Sequence, residues 1–208
     1  MAEKTAYHHG DLRQALIDGA ISLIAEQGVS NLSLREIARR VGVSHAAPYR
    51  HFQDKESLLA AVAEEGFIGL TEAMNRGIEQ APDEPLKRLE ATGVAYVQFA
   101  VAHPSHYRVM FGRYQEEQAP HPERAQAGWQ AFQVLFNVIE AGQSAGAVRS
   151  GDTMQLGWVA WSTVHGLAML LIDARLPVSQ AQDIQALSEF VTRTLISGLA
   201  NCRETRHY

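Results

Sequence analysis

The chain has 208 residues, a formal net charge of -5, 46% hydrophobic and 20% charged residues, and a single cysteine. This composition is ample for a buried core and ordinary for a soluble protein, with room for one large domain or two small ones. Lone Cys202 excludes an intrachain disulfide framework and a cysteine-based zinc site and fits a reducing cytoplasm, and neither a signal-peptide core nor an 18-residue apolar run is found.

In chain order, His8 and His9 precede a helix expected to begin near Asp11. Leu12, Ala15, Leu16, Gly19, Ala20 and Leu23 form its buried stripe, and Gly28 ends it. The two histidines have no partner ligands at convincing spacing, so no metal site is expected and a solvated arm is the reading. Ser33 and Glu36 then make an S-x-x-E capping box before Leu34, Ile37, Ala38 and Val41, which share one helix face. Gly42 ends that helix, and Ser44 is an N-cap for a second one only a few residues on. Helix, tight turn and helix is the geometry that sets a short helix in the DNA major groove.

In the second helix, small Ala46 and Ala47 permit close approach to the groove, and alanine can touch a thymine methyl. His45 and Arg50 can hydrogen-bond base edges, while Tyr49, His51 and Lys55 suit phosphate oxygens. Phe52 is expected to point into the core, and Asp54, with Ser57 three residues on, to cap the next helix. Residues 33–55 hold five basic side chains against two acidic ones, a local +3 on an otherwise acidic chain, which suits a DNA footprint.

On Leu34-Arg35-Glu36-Ile37-Ala38, Val41-Gly42-Val43-Ser44 and Tyr49-Arg50-His51-Phe52, with Lys55 and Leu58-Leu59, the chain resembles the TetR family of bacterial transcriptional regulators. The resemblance implies phosphate contacts from Tyr49, His51 and Lys55 and base contacts from His45, Ala46, Ala47 and Arg50. Ser33, Arg35 and Ser44 complete the expected DNA-contacting set. Pro48 stands where that family commonly has leucine or isoleucine, so the first turn of the reading helix is expected to be irregular.

Further helices are expected from about Asp54 to Gln80, over about 86–102 up to His103-Pro104, and from Ser105 to about Phe111. After a loop near 114–122, others run to about Gln143, over about 153–172, and beyond Pro177. The apolar run near 156–172 is broken by Ser162, Thr163 and His165 and reads as a buried helix. No strand alternation and no repeat emerges. The expected fold is all-α, with a three-helix DNA-binding domain at 8–56 and a helical ligand-binding and dimerisation domain at 57–208.

The second domain carries Tyr96, Phe99, His103, Tyr107, Met110, Phe111, Trp129, Phe132, Phe136, Trp161 and His165 as candidate ligand-binding residues. Apolar rings with a few embedded polar groups are what a small-molecule pocket needs; the same rings also suit a plain core. His103-Pro104, Tyr107-Arg108, Met110-Phe111 and Trp161 with Val164-His165-Gly166 resemble the C-terminal domain of a TetR subgroup named for its Trp-His-Gly motif. That resemblance implies a small, largely apolar effector and dimerisation through the last two helices. Trp161 and His165 lie one turn apart, and His165 reads equally as a ligand-orienting group or a satisfied core histidine. Ile184, Leu187, Val191, Leu195 and Leu199 form a stripe on the last helix that suits a four-helix dimer seam or packing within the chain.

The leading expectation is a cytoplasmic, homodimeric, ligand-responsive repressor on a palindromic double-stranded operator, without catalytic residues, cofactor, metal or membrane partner. An activator of the same fold is the alternative. An enzyme using His103 and His106 with Glu116 and Glu117 is a further one, but no nucleophile elbow, P-loop, dinucleotide loop or HExxH supports it. A DNA-binding protein without effector would need a stronger basic excess.

Overall fold

The computed structural model describes residues 12–112 and 121–200. His8, His9, Asp11, Glu116, Glu117 and Cys202 lie outside the described residues. Eight α-helices and one short 3₁₀ turn make up the described secondary structure: α1 (Leu12–Gln27), α2 (Leu34–Val41), the 3₁₀ turn Pro48–Arg50, α3 (Lys55–Gln80), α4 (Pro85–Ala102), α5 (Pro104–Met110), α6 (Pro122–Ser144), α7 (Thr153–Ile172) and α8 (Ala181–Leu199). The all-α expectation holds, and an isolated bridge between Val148 and Ala200 is the extended pairing among the described residues.

The chain packs as two compact units, one from the residues up to Gly66 with Pro104–Gln126, the other from Phe67–His103 with the chain from Ala127. In the first, Leu16, Ile17, Ala20, Leu23 and Ile24 of α1 bury against a core shared with Leu34, Ile37 and Ala38 of α2. Each buried leucine or isoleucine contributes roughly 1.5–3 kcal/mol by leaving water. The two helices meet closely at Gly19, where an added Cβ would stand 2.8 Å from Val41 Cγ2. Phe52, Leu58, Leu59 and Val62 extend this core, as do Tyr107, Val109 and Met110 of α5.

The ends of α2 follow from local chemistry. Ser33 is extended and its hydroxyl accepts the Glu36 N–H at 3.3 Å. The expected capping box is only half made, because the Glu36 carboxylate instead accepts from Gln27 Nε2 at 3.0 Å and faces Arg39 at 3.6 Å. Gly42 takes the left-handed conformation, φ 78°, and Val43 N–H returns to Ala38 O at 2.9 Å. At the start of α3, Asp54 Oδ1 accepts the Ser57 N–H at 2.7 Å, the cap expected of it, and Ser57 Oγ accepts the Asp54 N–H at 3.1 Å in return.

In the second unit α4 packs on both α7 and α8. Gly93 permits this, since a Cβ there would overlap the Thr192 side chain. Leu89, Val138, Ile139, Leu156, Ala160, Ile196 and Leu199 form the core cluster. The buried hydroxyls of Thr92 and Ser188 donate to Arg88 O and Ile184 O one turn back, at 2.8 and 2.7 Å. Thr192 does likewise to Ser188 O. Asp152 caps α7 through the Met154 and Gln155 amides.

Two helices of this unit leave part of their apolar surface uncovered. Helix α7 is buried on one face only: Leu156, Ala160, Val164, Leu167, Ala168 and Leu171 face inward, while Trp158, Val159 and Leu170 are about half exposed. Its 20 residues and hydropathy of 1.3 would suffice for a membrane span by length and composition. On α8 the residues buried are Ser188, Thr192, Ile196 and Leu199, whereas Ile184, Leu187, Val191 and Leu195 are half-buried. The close approach of α4 at Gly93 rotates a small polar face inward and leaves much of the apolar stripe at the margin.

Candidate nucleic-acid interface and effector site

The expected second helix of the motif is not a continuous α-helix. Ala47 N–H bonds Ser44 O at 3.0 Å, Arg50 N–H bonds Ala47 O at 3.2 Å and His51 N–H bonds Pro48 O at 2.9 Å, all spaced by three residues. An α-turn would require an N–H at residue 48 aimed at Ser44 O, and proline has none. The segment therefore winds as turn and 3₁₀ helix, with Ala47 as N-cap and no side-chain cap, so Ser44 does not act as the N-cap expected of it. The irregularity expected at Pro48 spreads over the whole short element.

This winding still sorts the side chains. Pro48 and Phe52 are buried, Phe52 as expected. Ser44, His45, Ala46, Tyr49, Arg50 and His51 are exposed, as are Ser33 and Arg35, while Ala47 and Lys55 are half-buried. The ten expected DNA-contacting residues thus all reach the surface of the first unit. Two are partly engaged: the Ser33 hydroxyl in the α2 cap, and Lys55 Nζ, which donates to Ser30 O at 3.3 Å.

The cations of the footprint differ in availability. Arg40 is tied across to α1, with Nη1 2.8 Å from Ser22 Oγ and 2.7 Å from Glu26 Oε1. A further short bond joins its Nη2 to Glu26 Oε2. The Arg40 hydrogen bond holds the Glu26 carboxyl below the usual carboxylate range. Arg35 and Arg50 have no acidic partner among the described residues. The net +3 counted along the sequence therefore overstates the charge offered outward by Arg40 and understates the individuality of the rest.

In the second unit, Tyr96 of α4 meets Trp161 and His165 of α7. Trp161 Nε1 donates to Tyr96 Oη at 3.1 Å, and the same oxygen lies 3.1 Å from His165 Nδ1. An indole N–H can only donate, so the phenol oxygen accepts from Trp161 and keeps its own hydrogen and a second lone pair for the contact with His165 Nδ1. Burial pushes the His165 pKa down, which favours the neutral imidazole.

An aromatic row continues from this trio. The Trp161 ring stands edge-on to Phe132, centroids 5.3 Å apart at 88°, and Phe132 meets Phe136 at 4.8 Å. Phe136 lies against Gly157 of α7. Trp129 follows at 6.5 Å from Phe132 and is 52% exposed. Six of the eleven expected ligand-binding residues are thereby brought together. Phe99 and His103 form a separate ring pair at 4.7 Å. Tyr107, Met110 and Phe111 belong to the first unit, where Tyr107 and Met110 are core residues. His106 Nε2, also in the first unit, lies 3.4 Å from Glu65 Oε1. No cluster of three metal-ligating side chains occurs among the described residues.

A capped helix, a glycine turn and an exposed basic segment, followed in the same chain by a helical unit with an aromatic row, are the marks of a helix-turn-helix transcriptional regulator. The model of the bacterial regulatory proteins of the tetR family matches residues 16–62, and that of the tetracyclin repressor-like C-terminal domain matches residues 89–195. The chain belongs to the TetR family. It is 34% identical over 131 residues to the class A tetracycline repressor protein from transposon 1721 of Escherichia coli, covering 63% of this chain and 56% of that one. It is 37% identical over 89 residues to the regulator AcrR of Shigella flexneri, 43% of this chain and 41% of that protein. The chain thus spans about half the length of these curated relatives or less. A structure of a protein of unknown function from Rhodococcus sp. RHA1 superposes with a TM-score of 0.80 at 36% identity, covering 95% of this chain and all of that one. FadR from Bacillus subtilis in complex with stearoyl-CoA shares the fold, with a TM-score of 0.75 at 20% identity over 89% of this chain and 98% of that one.

Proposed function

We propose that this protein is a ligand-responsive transcriptional repressor that binds a palindromic operator as a homodimer. Residues 8–56 would read DNA, and 57–208 would hold the effector and the dimer face. The observation that carries the reading is the segment Ser44–His51, which buries Pro48 and turns His45, Tyr49, Arg50 and His51 outward. Two such segments would enter successive major grooves about 34–36 Å apart.

Dimerisation has its own support. Trp158, Val159 and Leu170 on α7 and Phe190 on α8 are between 45% and 64% exposed, and a Cβ at Gly166 or Gly198 would meet nothing within 4 Å. Glycine inside a helix costs about 1 kcal/mol relative to alanine, and nothing among the described residues explains these two. A second copy of the same helix pair is the occupant that fits, and equilibrium sedimentation of the full chain tests it.

For the effector, the Tyr96–Trp161–His165 trio offers neutral polar groups at one end of an aromatic row, which suits a largely apolar molecule with a polar end. The stearoyl-CoA bound by FadR is a precedent for an apolar chain in this fold. Such a ligand acts only through its differential affinity for the DNA-binding and released states, about 1.4 kcal/mol for each tenfold preference.

The deciding experiment is selection of random duplex DNA by the purified protein near physiological salt. An enriched palindrome with half-sites one helical turn apart is the expected result. A folded protein that enriches no sequence overturns the proposal.

A further inference from the structure

One cation beside the reading segment comes from another helix and from outside the residues whose spacing marks the motif. Arg13 lies in the first turn of α1, is exposed, and holds its guanidinium carbon 5.6 Å from the centroid of the Phe52 ring. Phe52 is a fixed platform: its side chain is 4% exposed, and its N–H bonds Pro48 O at 2.9 Å. The ring therefore moves with the 3₁₀ turn that carries Tyr49 and Arg50. A guanidinium over an aromatic face is held by the ring's quadrupole while its N–H groups stay directed to solvent.

The contrast with neighbouring arginines gives this meaning. Arg40 is consumed by Glu26 and Ser22, and Arg39 faces Glu36. Arg13 has no acidic partner among the described residues. A stacking contact that fixes a cation without neutralising it pre-orients that cation for an anion from outside. Beside the reading segment, that anion is a phosphate of the duplex backbone.

We propose that Arg13 is a DNA phosphate contact supplied by α1, positioned by its stacking on Phe52, and that Arg40 is a buttress between α1 and α2 which touches no DNA. This rests on the regulator reading above and adds a residue that the helix-turn-helix spacing does not mark.

The test is the salt dependence of binding by the full-length protein to its selected operator and to an unrelated duplex, between about 50 and 200 mM salt. Arg13→Gln should weaken binding to both duplexes by the same factor and lower the magnitude of the log–log slope by about 0.9. Its deficit relative to wild type should then shrink about 3-fold across that salt range. Arg13→Lys, which keeps the charge, should keep the slope, and so should Arg40→Gln. Arg13→Met, which keeps an apolar stem over the ring, should repeat the Arg13→Gln loss, and thermal unfolding shows that each variant is folded. A wild-type slope in folded Arg13→Gln and Arg13→Met overturns the assignment. Equal slope losses in Arg13→Gln and Arg40→Gln overturn it too, because the slope then reports net charge alone. Failure of wild type to bind any duplex is a separate outcome, which sinks the regulator reading and this contact with it.

Discussion

Tyr96 Oη and His165 Nδ1 lie 3.1 Å apart, and Trp161 Nε1 donates to the same oxygen at 3.1 Å, so one hydroxyl of α4 joins two residues a turn apart on α7. Burial of the ring favours the neutral imidazole at this contact.

His165 therefore contributes a pH-dependent part of stability. Its folded pKa is pushed below the ordinary value of 6.5 by burial. Between that lowered value and about 6.5 the unfolded chain binds more protons than the folded one. The contribution is thus complete above about pH 6.5 and is lost as the pH falls from there through the folded pKa. Thermal midpoints of wild type and His165→Gln, taken from pH 7.5 to 5, should keep a constant gap at the alkaline end. Below about pH 6.5 wild type should lose its relative advantage; a gap independent of pH rejects this account.

Tyr96→Phe withdraws the acceptor from Trp161 Nε1 and the hydroxyl partner from His165 Nδ1 without changing the ring. The expected cost is about 1–3 kcal/mol, the range for stranding buried hydrogen-bonding groups. Urea unfolding followed by tryptophan fluorescence measures it. A change below about 0.3 kcal/mol would mean that water replaces the hydroxyl at no cost.

Arg50 and Lys55 should separate in binding assays. Arg50→Ala is expected to lose about 1–3 kcal/mol at particular operator positions and to relax preference there. Lys55→Ala should weaken all sequences alike and flatten the salt dependence. A uniform loss in Arg50→Ala would demote that residue to a backbone contact.

Pro48→Ala restores an N–H opposite Ser44 O. The reading segment should then wind further towards an α-turn, which changes the angular spacing of His45, Ala46, Tyr49 and Arg50. Random-duplex selection with this variant should return an altered half-site. Recovery of the wild-type site at wild-type affinity would show that the 3₁₀ turn does not shape recognition.

Ala174 ends α7 with φ 51°, and its N–H bonds Leu171 O at 3.0 Å. A left-handed backbone costs an L-residue roughly 1–2 kcal/mol that glycine avoids. The residue is exposed, so Ala174→Gly should raise the unfolding free energy by about 1 kcal/mol, with no effect on DNA binding. A lower melting temperature than wild type would contradict this.

The features legible along the chain are local in origin. The helices α4 to α8, the glycine end of α2, the Asp54 cap and the break at Pro48 each depend on a residue's own torsions or on partners within four positions. The exposed order of the reading segment follows from the same short range, once Pro48 and Phe52 are placed inward. The remaining features come from contacts between distant parts of the chain. Glu36 abandons half of its capping box because Gln27, on another helix, offers a donor. Arg40 leaves the outward charge because Glu26 of α1 lies within reach. Tyr96 finds Trp161 and His165 across 65 and 69 positions of chain. The packed face of α8 includes Ser188 and Thr192, beside Ile196 and Leu199, because Gly93 lets α4 come close at Thr192. Periodicity marks an apolar stripe on a helix, but which stripe is buried depends on how near another backbone can come, and that distance is set by residues far away in the chain.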